Sequence, residues 1–217
     1  MPAFQNIGSV DDFEIIDKLG KQHHRKFNEV LLVRHKETGV LGVCKKLVKS
    51  DKNEHLIPLL RQEAEISFPE KGLPETIAFL ENEIEIVVIR NYQEGVPLNE
   101  FWKAVRRKER MHFIVLLFSK LAPIFNVLSE KEIVHGDIKP SNIIIIGTKS
   151  DFDVGLIDFG IAIQKGDTRE RRTLFALGYS APELILNKLN LADSTTDLFA
   201  LGISVWQLFA GKLPLLH

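Results

Sequence analysis

One short segment of the chain reads His135-Gly136-Asp137-Ile138-Lys139-Pro140-Ser141-Asn142 and brings an acid, a base and an amide close together. A second acid follows within Asp158-Phe159-Gly160. Carboxylate and amide oxygens are hard ligands of the kind that magnesium prefers, and magnesium keeps phosphates and waters in its coordination shell. The two segments therefore predict a site that binds a divalent cation and acts on a charged substrate group.

The types and order of these residues indicate transfer of a phosphoryl group. The barrier to this reaction is lowered mainly by aligning the acceptor and by neutralising charge on the phosphate oxygens. We expect the Asp137 carboxylate to orient the incoming hydroxyl group, and Lys139 to place a positive charge against the transferred group. Asn142 and Asp158 are the predicted ligands of Mg2+.

The apolar residues between the two polar segments predict a β-hairpin. Ile143-Ile144-Ile145-Ile146 is a β-branched run, Phe152 to Ile157 is a second apolar segment, and the residues between them favour a turn. Such a hairpin carries Asn142 and Asp158 at neighbouring strand ends, where both can bind one metal ion.

Apolar spacing and end signals predict helices in the second half of the chain. The expected helices run from Leu98 to Arg110, with Asn99 as a cap, from Met111 to Lys131, and from Ser194 to Ala210. The last of these is expected to end at Gly211.

Further segments extend the pattern to a known family. Together with Ala181-Pro182-Glu183 and Asp197-Leu198-Phe199-Ala200-Leu201-Gly202, the segments above resemble the eukaryotic-type serine/threonine protein kinases. The resemblance implies an α+β, protein-kinase-like two-lobe fold with a small antiparallel-sheet N-lobe and a mainly helical C-lobe. It also implies that Asp197 binds the backbone of the catalytic loop. The expected boundaries are an N-terminal extension at 1–11, the N-lobe at 12–90, the hinge at 91–97 and the C-lobe at 98–217.

The resemblance also assigns residues to ATP binding. Leu41-Gly42-Val43-Cys44-Lys45-Lys46-Leu47 resembles the strand whose lysine contacts the α and β phosphates, which makes Lys45 that residue. Lys46 is the alternative, but the period of two in a strand turns it to the opposite face. Glu63 is expected to pair with Lys45, and Glu65 is the alternative partner. The other expected nucleotide contacts are Gly20, Val30, Val43, Asn142 and Asp158.

Several positions depart from the family pattern. Only Gly20 remains of the glycines expected in the phosphate-binding loop, and the gatekeeper position falls on Ile89 or Arg90. Glu183 lacks the arginine that normally pairs with it. Gly136 replaces the arginine that normally binds a phosphorylated activation segment. Phosphorylation of that segment is therefore expected to be unnecessary for activity.

The chain ends at His217, whereas the family continues into further helices, so the resemblance is to a minimal or C-terminally truncated member. The last predicted helix is then expected to expose the apolar residues Trp206, Leu208 and Phe209. Exposed apolar patches usually bind a partner. We therefore expect an activating protein, or a second copy of this chain, to dock at this end of the C-lobe.

The composition excludes several classes of function. The chain has 217 residues, of which 45% are hydrophobic and 26% charged, as in ordinary globular proteins. A net charge of −1 gives no electrostatic support to nucleic-acid binding. The single cysteine, Cys44, excludes an intramolecular disulfide framework and fits a reducing cytosol. No unbroken apolar run reaches the roughly 20 residues that span a bilayer, so no membrane partner is expected. The expected location is cytoplasmic, including the cytosol of a host cell into which the protein is delivered.

The leading function is therefore a serine/threonine protein kinase that uses ATP and Mg2+ on a protein substrate, and two alternatives remain open. A pseudokinase scaffold that binds a partner protein fits the eroded glycine loop, although the catalytic groups are all present. A small-molecule phosphotransferase of the aminoglycoside or choline kinase kind also favours His-Gly-Asp. Such enzymes usually lack Lys139 and the Ala181-Pro182-Glu183 segment.

Overall fold

A computed structural model describes residues 9–19, 29–165 and 178–214 of the chain. The chain divides into two compact units, Met1–Tyr92 and Gln93–His217. The first unit is built on an antiparallel sheet, and the described part of the second is mainly helical. The predicted α+β class is confirmed.

The described part of the first unit contains a five-stranded sheet and one α-helix. Its strands are β1 (Phe13–Lys18), β2 (Glu29–His35), β3 (Leu41–Val48), β4 (Thr76–Glu81) and β5 (Glu85–Asn91). They lie in the order β1-β2-β3-β5-β4, and every neighbouring pair is antiparallel. Helix α1 (Ile57–Glu65) follows β3. Pro58 lies in its first turn, where the missing N–H of proline costs no helical hydrogen bond.

The two faces of this sheet bury different side chains, because successive residues of a strand point to opposite sides. The face that packs on α1 contributes Leu47, Ile86 and Val88 to one core, and the opposite face contributes Cys44, Val87 and Ile89 to another. Lys45 precedes Leu47 by two positions, and Arg90 follows Val88 by two. Both charged residues therefore lie on the α1 side of the sheet.

The second unit consists of short strands and helices around one long helix. In chain order its elements are β6 (Val96–Pro97), α2 (Leu98–Phe101), α3 (Arg110–Glu130), β7 (Ile133–Val134), β8 (Ile143–Gly147), β9 (Phe152–Leu156), β10 (Ile163–Gln164), α4 (Pro182–Ile185) and α5 (Ser194–Ala210). Strands β6, β8 and β9 form one antiparallel sheet, and β7 pairs with β10. Helix α3 buries Leu117, Leu121 and Leu128.

The predicted hairpin and the predicted last helix are confirmed. Strands β8 and β9 pair from Ile143 opposite Leu156 to Gly147 opposite Phe152. Helix α5 follows Asp193, whose carboxylate caps its first turn, and ends at Gly211 with a φ of 72°. A left-handed glycine after the last turn is the usual end of a helix.

The predicted continuous helix from Leu98 to Arg110 is wrong. Helix α2 ends at Phe101, and Val105 and Arg106 have extended backbone between two 3-10 turns. The break buries Val105, which is 3% exposed, and the Trp102 indole N–H donates to a carbonyl at 2.7 Å. That carbonyl belongs to α5, so tertiary contacts outweigh the helical spacing of this segment.

Asn99 does not cap α2. Pro97 is the residue before the helix, so Asn99 lies inside the first turn, where its amide donates to Glu100 at 3.3 Å. The predicted helix from Met111 to Lys131 is present as α3, displaced by one residue at each end.

One helix of the described residues, Arg107–Glu130, is long and apolar enough to cross a membrane by length and composition alone. In the most apolar stretch of 18 residues in this helix, 33% is buried inside the protein. A core helix of a soluble protein meets the same criteria, so this finding is weak evidence for a membrane span.

Candidate active site

Asp137, in the second unit, lies at the centre of a small hydrogen-bond network. Its Oδ2 accepts hydrogen bonds from Lys139 Nζ at 2.6 Å and from Asn142 Nδ2 at 2.8 Å. Its other carboxylate oxygen, Oδ1, is buried and has no hydrogen-bond partner among the described residues. A buried acceptor without a partner is costly unless a ligand completes it. Oδ1 is therefore the carboxylate oxygen of Asp137 that still lacks a donor in the described part of the chain.

Asp197, on α5, fixes the backbone of this loop. Its two carboxylate oxygens accept hydrogen bonds from the backbone N–H groups of His135 at 2.7 Å and Gly136 at 2.9 Å. Burial raises the pKa of Asp197, while the nearby His135 and these two N–H groups oppose that shift. The His135 ring accepts a hydrogen bond from the Asp137 backbone N–H at 3.2 Å and packs on Phe159, with ring centroids 4.4 Å apart. The contact between Asp197 and the catalytic loop that the family resemblance implies is present.

Asn142 and Asp158 flank the paired ends of β8 and β9. The backbone N–H of Ile157 donates to the carbonyl oxygen of Asn142 at 3.0 Å, and Asp158 is the next residue. The Asn142 Nδ2 group donates to the backbone and side chain of Asp137, so the amide oxygen is the atom of this side chain that could bind a metal ion. Asp158 has a φ of 70°, a region that residues other than glycine adopt mainly where the surrounding structure requires it.

This donor set fits a hard divalent cation. One amide oxygen and one carboxylate suffice for an ion whose remaining ligands are phosphate oxygens and waters. In residues 9–19, 29–165 and 178–214, no group of three or more His, Cys, Asp or Glu side chains is placed to hold a metal. By their donor chemistry, Asn142 and Asp158 remain the metal-binding candidates that the sequence predicted.

Gly136 has a conformational reason to be glycine. Its φ is +76°, and a Cβ atom at this position would lie 3.2 Å from the carbonyl oxygen of Ile161. An L side chain is strained in this region of φ. The backbone conformation of this loop therefore favours glycine over the arginine of the family pattern. The same replacement removes the side chain that would contact a phosphate.

In the first unit, Lys45 on β3 pairs with Glu63 on α1. Their Nζ and Oε1 atoms are 2.5 Å apart, and the side chains are 14% and 3% exposed. Lys46 points to the other face and pairs with Glu85 at 2.6 Å, whereas Glu65 is exposed. Of the alternatives left open by the sequence, the geometry brings together Lys45 and Glu63.

The valines expected to contact the nucleotide share a face with Lys45. Val30 lies directly opposite Lys45 in the pairing of β2 with β3, and Val43 precedes Lys45 by two positions. Cross-strand partners lie on the same face of a sheet. Gly20, the remaining predicted contact in this unit, lies outside the described residues.

Of the two gatekeeper candidates, Arg90 lies on the face of Lys45. Arg90 is opposite Val43 in the pairing of β3 with β5, whereas Ile89 belongs to the core on the opposite face. The Arg90 side chain is 6% exposed, and its Nη1 atom is 3.8 Å from Glu63 Oε1. Sequence reasoning identified the unusual arginine but gave no signal that it approaches Glu63.

Glu183 has a partner that the sequence did not suggest. The hydroxyl of Thr196, in the first turn of α5, donates to Glu183 Oε1 at 2.5 Å. The same hydroxyl accepts a hydrogen bond from the backbone N–H of Asp193 at 3.2 Å. The Thr196 hydroxyl is thus a hydrogen-bond partner of Glu183 in the described part of the chain. The spacing of Asp193 and Thr196 indicates the start of a helix but not the contact with Glu183.

A protein kinase domain profile matches residues 13–217. The chain therefore belongs to the protein kinase family, and its identification as a eukaryotic-type serine/threonine kinase is confirmed. Members of this family use ATP and a divalent metal ion.

The chain is similar to several curated kinases. It is 30% identical to an Aurora kinase of Saccharomyces cerevisiae, over 99% of this chain and 57% of that protein. It is 28% identical to Aurora kinase C of Mus musculus, over 95% of this chain and 72% of that protein. It is 30% identical to the serine/threonine-protein kinase TIO of Arabidopsis thaliana, over 94% of this chain and 15% of that protein. The chain thus spans little more than half the length of the yeast relative.

Proposed function

We propose that this chain transfers the γ-phosphoryl group of ATP to serine or threonine hydroxyls of a protein substrate. The observation that carries the proposal is the state of Asp137. Lys139 and Asn142 hold Oδ2, while Oδ1 is buried and has no partner among the described residues. A carboxylate held in this way presents one defined oxygen to an incoming hydroxyl group.

The surrounding residues have distinct roles in this proposal. Asp137 aligns the acceptor hydroxyl and takes its proton at Oδ1. Lys139, 2.6 Å from the carboxylate, stabilises negative charge on the transferred group. Asn142 and Asp158 would hold Mg2+, which supplies charge neutralisation at the phosphate oxygens. In the first unit, Lys45 would contact the α and β phosphates, and its ion pair with Glu63 fixes the position of the ammonium group.

The proposal extends to partners and location. Trp206 and Phe209 on α5 are 54% and 43% exposed, which supports docking of an activating protein or a second copy at this end of the unit. Sedimentation that finds a monomer, together with full activity of the purified chain, would count against docking. The lobe and hinge boundaries given above, and a cytoplasmic location, belong to the same proposal.

Transfer of radiolabel from ATP tests the function. The wild type is compared with the variants Asp137→Asn and Asp153→Asn. Each is assayed once in the presence of Mg2+ and once with a chelator. The protein acceptors are a mixture of casein and basic proteins, and the small-molecule acceptors are choline and an aminoglycoside. Asp153 on β9, whose side chain is 43% exposed and pairs with Lys120 at 3.3 Å, provides the matched control. Label on protein with wild type and the control, but not with Asp137→Asn or chelator, is the expected result. Label on the small alcohols identifies a small-molecule phosphotransferase, and no label on any acceptor supports the scaffold.

A further inference from the structure

The C-terminal end of α1 is bound by two side chains from the sheet. Thr76 on β4 donates its hydroxyl to the carbonyl oxygen of Ala64 at 2.9 Å, and Arg90 on β5 donates Nη2 to the carbonyl oxygen of Ile66. Thr76 and Arg90 are direct cross-strand partners. The last carbonyls of a helix have no partner within the helix and carry partial negative charge, so a hydroxyl and a guanidinium both stabilise them.

The same guanidinium reaches further contacts. Arg90 Nη2 also donates to the carbonyl oxygen of Pro74 at 2.9 Å, and Nη1 lies 3.8 Å from Glu63 Oε1. That carboxylate oxygen is the one that binds Lys45 Nζ at 2.5 Å. Arginine suits such a position because its planar group presents several N–H donors in fixed directions.

We propose that Arg90 is a positioning residue for the phosphoryl-transfer reaction. It holds the end of α1 and the Glu63 carboxylate together, so that Glu63 in turn fixes the Lys45 ammonium group. The inference rests on the proposed kinase function, because it assigns Arg90 to the Lys45–Glu63 ion pair of that site. Arg90 acts through Glu63 and is not itself assigned a contact with substrate.

A double-mutant cycle separates this role from a contribution to folding alone. Arg90→Met keeps an unbranched side chain and removes the guanidinium. We expect it to lower kcat about tenfold in the wild-type background, equal to about 1.4 kcal/mol of barrier. In the Glu63→Gln background it should change kcat by less than about twofold, because the group through which it acts is already removed. Loss of activity by the same factor in both backgrounds would overturn the proposal.

Lys46→Met is the matched control. It removes a cation from the neighbouring position of β3, on the opposite face, where Lys46 pairs with Glu85. We expect its kcat to stay within about twofold of the wild type in both backgrounds. A tenfold loss that matches Arg90→Met would show that any lost cation in this sheet has the same effect, and would overturn the specific role of Arg90.

Amide hydrogen exchange gives a readout that does not require activity. The amides of α1 should exchange faster in Arg90→Met than in the wild type and in Lys46→Met, and equal rates would overturn the proposal. If the wild type transfers no phosphate, the proposed function fails, and the exchange rates then decide only whether Arg90 stabilises α1. If Arg90→Met does not fold, Arg90→Gln replaces it in both experiments. Glutamine retains an N–H donor for the carbonyl groups of Ile66 and Pro74 but carries no charge. The same double-mutant cycle and the same exchange comparison then apply.

Discussion

Replacement of Asp197 by asparagine tests whether α5 fixes the catalytic loop. The carboxylate is 2% exposed and accepts backbone N–H groups at 2.7 Å and 2.9 Å, from His135 and Gly136. An asparagine retains one acceptor oxygen, but its NH2 group faces the second N–H. One bond to a charged group, about 1.5–3 kcal/mol, is then lost, and a buried donor is left without an acceptor.

A smaller effect opposes this loss. Burial raises the pKa of Asp197, so removal of the charge recovers part of the cost of burying it. The net expectation is a loss of about 2 kcal/mol in the free energy of unfolding. Because Asp137 follows Gly136 directly, we also expect kcat to fall by about 10- to 100-fold, as for a catalytic group displaced by a fraction of an ångström to one ångström.

Urea unfolding and initial-rate kinetics measure the two effects. The unfolding midpoint should fall for Asp197→Asn with an unchanged slope, which indicates altered stability without altered compactness. Asp153→Asn makes the same chemical change at a partly exposed position. It removes only a solvent-screened ion pair with Lys120, so stability should stay within about 1 kcal/mol of the wild type. A variant that unfolds like the control and keeps kcat within about twofold would refute the anchoring role of Asp197.

Three further predictions concern single features of the chain. Gly136→Ala should destabilise the protein by about 1–2 kcal/mol, because its φ of +76° strains any L side chain, and an unchanged urea midpoint would contradict this. Hydrogen bonding to Arg61 lowers the pKa of Glu81 to about 2, from an ordinary value near 4.5. The ion pair therefore stabilises the folded protein fully above pH 4.5, and this stabilisation is lost as the pH falls towards 2. Glu81 also pairs with Lys49 at 2.6 Å, so Glu81→Gln removes two ion pairs, one of them screened because Arg61 is 52% exposed. The expected cost is about 1 kcal/mol at pH 7. In urea unfolding, the difference in stability from the wild type should shrink as the pH falls below about 5. Thr168 and Thr173 lie outside the described residues. Their joint replacement by alanine should leave kcat within about tenfold of the wild type, because Gly136 cannot bind a phosphorylated segment. A larger loss of radiolabel transfer would contradict this.

The sequence by itself determined the local chemistry. The roles proposed for Asp137, Lys139 and Asn142 depend on side-chain types within one short loop, and the hairpin that follows depends on a β-branched run with a turn. The choice of Lys45 over Lys46 followed from the family motif, and the period of two in a strand placed Lys46 on the opposite face. These features depend on neighbours in sequence, so the pattern of residues carries them without further information.

The tertiary structure decided the contacts between distant segments. Val105 and Trp102 end α2 early because burial and a hydrogen bond to α5 outweigh helical spacing. Thr196 donates a hydrogen bond to Glu183, and Arg90 lies 3.8 Å from Glu63. Each of these contacts joins residues from different elements, and its energy depends on how those elements pack. Local propensity is a weak preference that such packing outweighs, so a single sequence does not specify the contacts in advance.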